Sequence, residues 1–460
     1  MITDNTYEET IIAQCTPQGS GAIALLRLSG KNALLIADKI SKLPHHKTLS
    51  SHPTHTIHYG WVMGADGFPS DQVLFLLMHA PHTFTGDNTV EITCHNNPFI
   101  INNIINAAIN AGARIAQKGE FSQRAVLNGK IDIMQAEAIN DLIHANTQQA
   151  LQQSLSQLQG SFSQWISSIE KDLIKALAFS ESSFEFLDEE NMEFDAQIKD
   201  IISGVIEKIT VLKKTFEQQQ QIRQGIRIAI IGSVNAGKSS FFNALLNQER
   251  AIVTNIAGTT RDAIEAGVYK NANYWTLIDT AGLRTTDDII EQIGITRSHE
   301  EAQKADIILL VVDGSQSLSE QEIAIYHKLI TTYQKKIIFI KNKADLCEQK
   351  NDFFKQQDYF SVSSKTKLNI NLVEKAIQLK IHELFASIES PFLLNQRHFN
   401  ALLSLEKELN QILTMLTGNI SYELVSYHLQ NSIATLSELS GKTISEAGMD
   451  AIFREFCIGK

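Results

Sequence analysis

The chain has 460 residues, of which 43% are hydrophobic and 20% charged, with a formal net charge of −11. That length provides for roughly three domains of about 150 residues, each with a sizeable core, and the composition excludes disorder as the main state. The acidic balance excludes a wholly basic nucleic-acid coat but not a local basic patch, and the most apolar run, residues 307–312, is about a third of the ~20 residues a membrane helix needs.

The opening residues, MITDNTYEET, are acidic and lack a basic-then-apolar targeting pattern. Cys15, Cys94, Cys347 and Cys457 form no CxxC pair. A cytoplasmic chain is expected, with neither a disulfide frame nor a zinc knot. Six of the seven prolines lie between Pro17 and Pro98, so this part should be rich in strands and loops. Residues 22–28 and 73–78 read as buried strands, with Arg27 an odd charge inside the first. Helices are expected at 32–40 and 98–111. His52, His55, His58, His79 and His82 suggest a metal, but no carboxylate or cysteine joins them at ligand spacing.

From about residue 131 the periodicity becomes helical. Leu151, Leu155, Leu158, Phe162, Trp165, Ile169 and Leu173 step by threes and fours, which predicts one long amphipathic helix in a bundle. A second helix is expected over 196–221, after an acidic link at 185–193. Residues 226–384 then alternate short apolar strands (226–231, 274–278, 307–312, 337–340, 359–362) with helices, the pattern of a mostly parallel sheet covered on both faces. After Pro391 the helical stripes return. The expected architecture is multidomain, α/β plus all-α: an N-terminal α+β domain at 1–125, a helical bundle at 126–222 and 385–460, and an inserted P-loop domain at 223–384.

The inserted segment carries the chemistry. Gly232-Ser-Val-Asn-Ala-Gly-Lys-Ser239 matches G-x-x-x-x-G-K-S between a strand and a helix. Its backbone amides, from Asn235, Ala236 and Gly237 onward, can turn toward phosphate oxygens. Lys238 supplies a point charge, and Ser239, followed by Ser240, a hydroxyl for magnesium. Asp279-Thr280-Ala281-Gly282 ends the next strand, with an aspartate to reach magnesium through water and a glycine amide to sense the last phosphate. Asn342-Lys343-Ala-Asp345 ends another, where an acceptor-only aspartate suits the paired N–H donors of guanine. Ser363-Ser364-Lys365 closes the base site. Each short motif is weak alone; together, in order and at strand ends, they predict a Ras-like GTPase. Leu283 stands where a water-orienting glutamine is expected. Asn235 is either a turn residue or a ligand for a monovalent cation that replaces an arginine finger.

Thr254-Asn255-Ile256-Ala257-Gly258-Thr259-Thr260-Arg-Asp262, followed by DTAGLR, resembles the potassium-dependent GTPases of the MnmE (TrmE) family. The ending Cys457-Ile-Gly-Lys460 resembles that family's C-x-G-K tail, and the segments TPQGSGAIALLRLSG, PHTFTGDNTVEITCHNNP and GEFSQRAVLNGKIDIMQAEAI extend the likeness over essentially the whole chain. The resemblance implies that residues 254–260 join the GTP site. Asn235, Thr254, Thr259 and the Ile256 backbone would hold potassium, and Ser239 and Thr260 magnesium. Glu291 would orient the attacking water through a second water. Without the resemblance, Glu291 reads as a solvated charge at a helix start.

The resemblance further implies a homodimer through an N-terminal domain that binds 5-formyltetrahydrofolate or a related one-carbon tetrahydrofolate at Arg27, Glu91, Lys130 and Lys460. Ser20, and Asn96-Asn97 where glycines usually follow His95, depart from the family pattern near that pocket. Cys457 would serve tRNA modification and not GTP hydrolysis. The implied partner is a flavoprotein of the MnmG (GidA) family, which carries the FAD, in a heterotetramer. The implied activity is addition of a carboxymethylaminomethyl or aminomethyl group to C5 of the wobble uridine of certain tRNAs. Two other functions fit parts of the chain. A ribosome-assembly switch would have no reason to end in CIGK, and a folate-binding scaffold would not need intact Lys238, Asp279, Asn342 and Asp345.

Overall fold

The computed structural model describes residues 9–64, 67–185, 194–214, 216, 225–246, 252–254, 264–270, 273–279, 300–346, 357–386, 391–417 and 421–459. The backbone divides into two compact units. The first comprises Met1–Asn140, Ser156–Ile206 and Asn400–Lys460; the second comprises Asp141–Leu155 and Glu207–Phe399.

In the first unit, β1 (Ile11–Gln14), β2 (Ile23–Ser29), β3 (Ser41–Lys42), β4 (Thr56–Met63), β5 (Pro69–Met78), β6 (Thr89–His95) and β7 (Arg114–Ile115) form one sheet in the order β3-β4-β5-β6-β2-β1-β7. Neighbours are antiparallel except β1 and β7. One face buries Leu26, Leu28, Val73, Phe75, Leu77, Val90 and Ile92 in a core shared with α1 (Ala33–Ile40) and α2 (Pro98–Asn110). On the other face Phe121 of the helix Glu120–Leu127 covers Ile11 and Ala13 of β1, while β4 and β5 leave Ile57, Tyr59, Trp61 and Leu74 exposed. Residues 73–78, expected as a wholly buried strand, alternate instead: Val73, Phe75 and Leu77 are buried and Leu74 is exposed. Successive side chains leave a strand on opposite faces, and at β5 only one of those faces is buried in a core.

The helices that follow are α3 (Glu120–Leu127), α4 (Ile133–Ile143), α5 (Gln148–Leu158), α6 (Ser161–Glu185) and α7 (Phe194–Lys214). The single helix expected through 151–173 is two helices. Gly160 has φ +92 between them, a left-handed conformation that ends a right-handed helix. The stripe therefore does not carry across the break. Leu151 and Leu155 are exposed while Ala150, Gln153, Ser154 and Gln157 are buried. In α6 the buried apolar set is Phe162, Ile166, Ile169, Leu173 and Ala176. The helix Tyr422–Leu439 packs along α6, where the Ser180 and Ser426 hydroxyls meet at 2.9 Å.

The second unit holds β8 (Ile226–Ile231), β9 (Ile252–Thr254), β10 (Ile264–Lys270), β11 (Asn273–Asp279), β12 (Ile307–Asp313), β13 (Ile337–Asn342) and β14 (Tyr359–Ser361) in the order β14-β13-β12-β8-β11-β10-β9. Five strands run parallel, and β10 pairs antiparallel with both β11 and β9. Every residue of β12 is buried. Its alternate side chains enter two cores, one with Ile228, Ile230 and Phe241, the other with Ala229, Ile231 and Tyr326. The strand order reverses around β8, so the loop that follows it opens at the C-terminal edge, where sheets of this type place a ligand.

Candidate functional site

The loop after β8 delivers its chain to the helix Lys238–Leu246. Asn235 adopts φ +66 and is exposed. Lys238 is buried, and its Nζ donates to the Gly232 carbonyl at 2.9 Å and the Ser233 carbonyl at 2.8 Å. The ammonium is thereby fixed inside the curl of the loop, beside Ala236 and Gly237. Ser239 and Ser240 are exposed on the first helical turn, where the helix N-terminus adds donors and a partial positive charge. The arrangement suits a chain of phosphates and a hydrated divalent cation.

The segment that follows β13 is joined to this loop by the side chain of Asn342. Asn342, at the end of β13 and 2% exposed, donates from Nδ2 to the Ala236 carbonyl at 2.9 Å. Its Oδ1 accepts from Ser364 N at 3.1 Å and Ser364 Oγ at 2.9 Å. Asp345 is exposed, and its Oδ1 accepts from Ser363 Oγ at 2.6 Å. That hydrogen bond holds the carboxyl below its ordinary range, so at neutral pH it is an acceptor-only group aimed by a neighbour. Lys365 is exposed beside it.

Sequence reasoning passed over Asp313, the last residue of β12. Its Oδ2 meets Lys343 Nζ at 2.6 Å and its Oδ1 accepts from Ser315. Burial alone raises this carboxyl, but the bonds from Lys343 and Ser315 outweigh it and hold it low. An aspartate closing an apolar strand was the available signal. The Tyr326 hydroxyl, also missed, accepts from Ser233 N at 2.8 Å and steadies the loop.

Asp279 ends β11, its backbone paired with Ile230 of β8, and Thr254 ends β9 opposite Gly267. Asn255, Ile256, Ala257, Gly258, Thr259, Thr260, Thr280, Ala281, Gly282, Glu291 and Lys460 lie outside the described residues.

In the first unit, Arg27 and Glu91 are cross-strand partners on the face opposite the main core, with Nε to Oε1 at 2.8 Å. The Arg27 guanidinium lies 5.7 Å from the Phe84 ring and 5.5 Å from the Phe121 ring. A partner carboxylate thus accounts for a charge inside an apolar strand. Lys130 is exposed after α3. Asn96 and Asn97, which depart from the family pattern, have local work: Asn97 caps α2 through Phe99 N and Asn96 Nδ2 donates to the Gly19 carbonyl, while the neighbouring His95 pairs with Asp71.

The tail follows the helix Glu446–Phe453. Phe453, which ends that helix, and Phe456, which follows it, are buried against Ala136. Ile458 bridges to Lys118, and Gly119 N donates to the Cys457 carbonyl at 3.3 Å. Cys457 is exposed. Gly459 lies against the chain's own backbone at Gln14 and Cys15. It has φ +91, and a Cβ there would stand 2.4 Å from the Gln14 carbonyl oxygen.

Two family models match the chain, one described as the MnmE helical domain over residues 133–457 and one as the GTP-binding protein TrmE N-terminus over residues 10–130. Curated relatives named tRNA modification GTPase MnmE include those of Bacillus velezensis and Bacillus subtilis, each 36% identical over 98% of this chain and 100% of the relative. The relative of Lachnoclostridium phytofermentans is 35% identical over 98% of this chain and 99% of its own length. The chain belongs to the MnmE family of tRNA modification GTPases. In this MnmE-family chain the helical match spans the inserted GTPase segment, and the N-terminal match ends at Lys130.

Proposed function

We propose that this chain hydrolyses GTP to power modification of the wobble uridine at C5 in certain tRNAs, together with a flavoprotein of the MnmG (GidA) family that carries the FAD. The chain is a GTP hydrolase of the MnmE family. The observation that carries the nucleotide reading is Asn342, which ties the phosphate loop through Ala236 to the base site through Ser364. We divide the chain at 125, 222 and 384 into a folate-binding and dimerisation domain, a helical domain in two parts and an inserted GTPase domain, and we place it in the cytoplasm.

Ser239 at the first helical turn suits magnesium, with Thr260 completing the pair. Asn235, exposed and left-handed in the loop, suits potassium, with Thr254, Ile256 and Thr259. When bound, the two ions neutralise charge that builds on the phosphates during transfer. Lys238 binds and orients the phosphates, Asp345 selects the base, and Glu291 orients the attacking water in place of a glutamine. GTP turnover is therefore expected to rise strongly in potassium over sodium at equal ionic strength, with pairing of GTPase domains seen by sedimentation only in potassium. Equal rates in the two salts would remove Asn235 from the cation site. Glu291→Ala is expected to slow turnover by ~100-fold or more, about 3 kcal/mol of barrier, at little cost in GTP affinity. Near wild-type turnover would return Glu291 to a solvated charge.

The exposed face of β4 and β5 in the N-terminal sheet supports the homodimer. Ile57, Tyr59, Trp61 and Leu74 are 64%, 52%, 42% and 41% exposed, and the strand register sets them side by side with the Arg27–Glu91 pair. A contiguous apolar face of this kind needs a cover, and a second copy supplies a matching one. The planar guanidinium between two aromatic rings suits the ring system of a tetrahydrofolate, with Lys130 and Lys460 for its acidic tail. Bound folate supplies the one-carbon unit.

A further inference from the structure

α3 carries a buried arginine whose neighbours use only part of it. Arg124 is 2% exposed. Its Nη2 donates to Glu120 Oε1 at 2.9 Å. Glu120 is held from the other side by Arg114, through bonds of 2.6 and 2.8 Å, and by Gln117 N at 2.8 Å. Arg124 Nε and Nη1 are buried without a hydrogen-bond partner. Unpaired N–H groups on a buried cation are costly enough that each calls for a reason.

Nη1 faces Asp87 Oδ2 across 3.9 Å, which is longer than a hydrogen bond. Among the described residues the Asp87 carboxylate accepts no hydrogen bond, and it is 31% exposed. Burial raises this carboxyl, and the charge of Arg124 works against that rise. Asp87 closes the turn that begins at Phe84, whose ring stands beside Arg27. Asn128 Nδ2 donates to the Thr85 carbonyl at 2.6 Å, fastening the turn to the segment that ends in Lys130. Asp87 thus belongs to the turn that sets Phe84 beside Arg27 and Gly86 beside Lys130, while Glu91 has one oxygen committed to Arg27.

We propose that Asp87, positioned by Arg124, is the carboxylate that receives the amino-pyrimidinone edge of a reduced pterin. This rests on the folate reading above. That edge presents a ring N–H and an exocyclic amino N–H side by side, and the two oxygens of one ionised carboxylate accept both. Arg124 is a positioning residue: it is too deeply buried to touch the ligand and acts by keeping Asp87 ionised and aimed.

The test is calorimetric binding of 5-formyltetrahydrofolate to the full-length chain. Asp87→Asn keeps the shape but opposes donor to donor, and is expected to weaken binding at least ~10-fold, while Asp87→Glu retains most of the affinity. Arg124→Gln is expected to weaken binding in the parent chain and to add nothing in the Asp87→Asn background; Arg124→Lys restores it. Melting temperature and GTP turnover should be unchanged in the Asp87 variants. If the parent chain binds no folate, the folate reading falls and this assignment with it. If the parent binds and Asp87→Asn binds equally well, Asp87 is not the pterin carboxylate although the folate site stands. Loss of binding together with a lowered melting temperature in Asp87→Asn would make the residue a support of the turn and overturn the assignment.

Discussion

Asp345→Asn is expected to lower GTP affinity ~100-fold or more, because hydrogen bonds to a charged group contribute about 1.5–3 kcal/mol each and an unpaired donor adds a penalty. Guanine presents two N–H donors in a row, and Asp345 offers two acceptors. Ser363 Oγ fixes one of its oxygens at 2.6 Å, so an amide in its place cannot turn freely to hide its N–H₂. The substitution sets donor against donor. It should also improve binding of xanthosine triphosphate, whose base carries a carbonyl where guanine carries its amino group. Asn342 and the phosphate loop are untouched, so turnover at saturating xanthosine triphosphate should approach that of the parent with GTP. Competition against a fluorescent nucleotide measures both affinities, and unchanged GTP affinity would place guanine recognition elsewhere.

Cys457→Ser is expected to abolish the tRNA modification while leaving GTP turnover within ~twofold of the parent, the pattern of a residue outside the measured step. The thiol is exposed, so no packing is lost. The tail is held by other groups: Phe453 and Phe456 in their core, the Ile458–Lys118 bridge, and the Cys457 carbonyl, which the exchange to serine keeps. A serine hydroxyl is similar in size but a far weaker nucleophile at neutral pH. Nucleoside analysis of tRNA from complemented cells, run beside GTP turnover in potassium, separates the two activities. Normal modified uridine with the serine variant would leave the cysteine without a chemical part.

Much of the GTPase segment could be read in advance because its motifs are local. A strand, a glycine-rich turn and a helix follow one another directly around Lys238, and NKAD and SSK each follow an apolar strand. What escaped depends on distant pairing. β9 and β10 are short or glycine-bearing segments that become strands only by pairing with one another and with β11. Glu91 neutralises Arg27 from 64 residues away, and only strand register reveals it. Asp313 reaches Lys343 because two parallel strands place their ends together. The helical stripe misled for a different reason: counting sevens across Gly160 assumes a continuous screw, and one left-handed residue resets it. The close approach of Gly459 to Gln14 of β1 is likewise a pairing between distant parts of the chain.

The central claim is that this chain couples GTP hydrolysis to wobble-uridine modification. It is tested most directly by mass spectrometry of tRNA nucleosides from cells lacking the chain, complemented either with the parent or with Lys238→Ala. The C5-modified wobble uridine should disappear in the deletion, return with the parent and stay absent with Lys238→Ala, whose phosphate loop has lost the cation that Gly232 and Ser233 hold in place. Normal modified uridine in the deletion cells, or full restoration by Lys238→Ala, would contradict it.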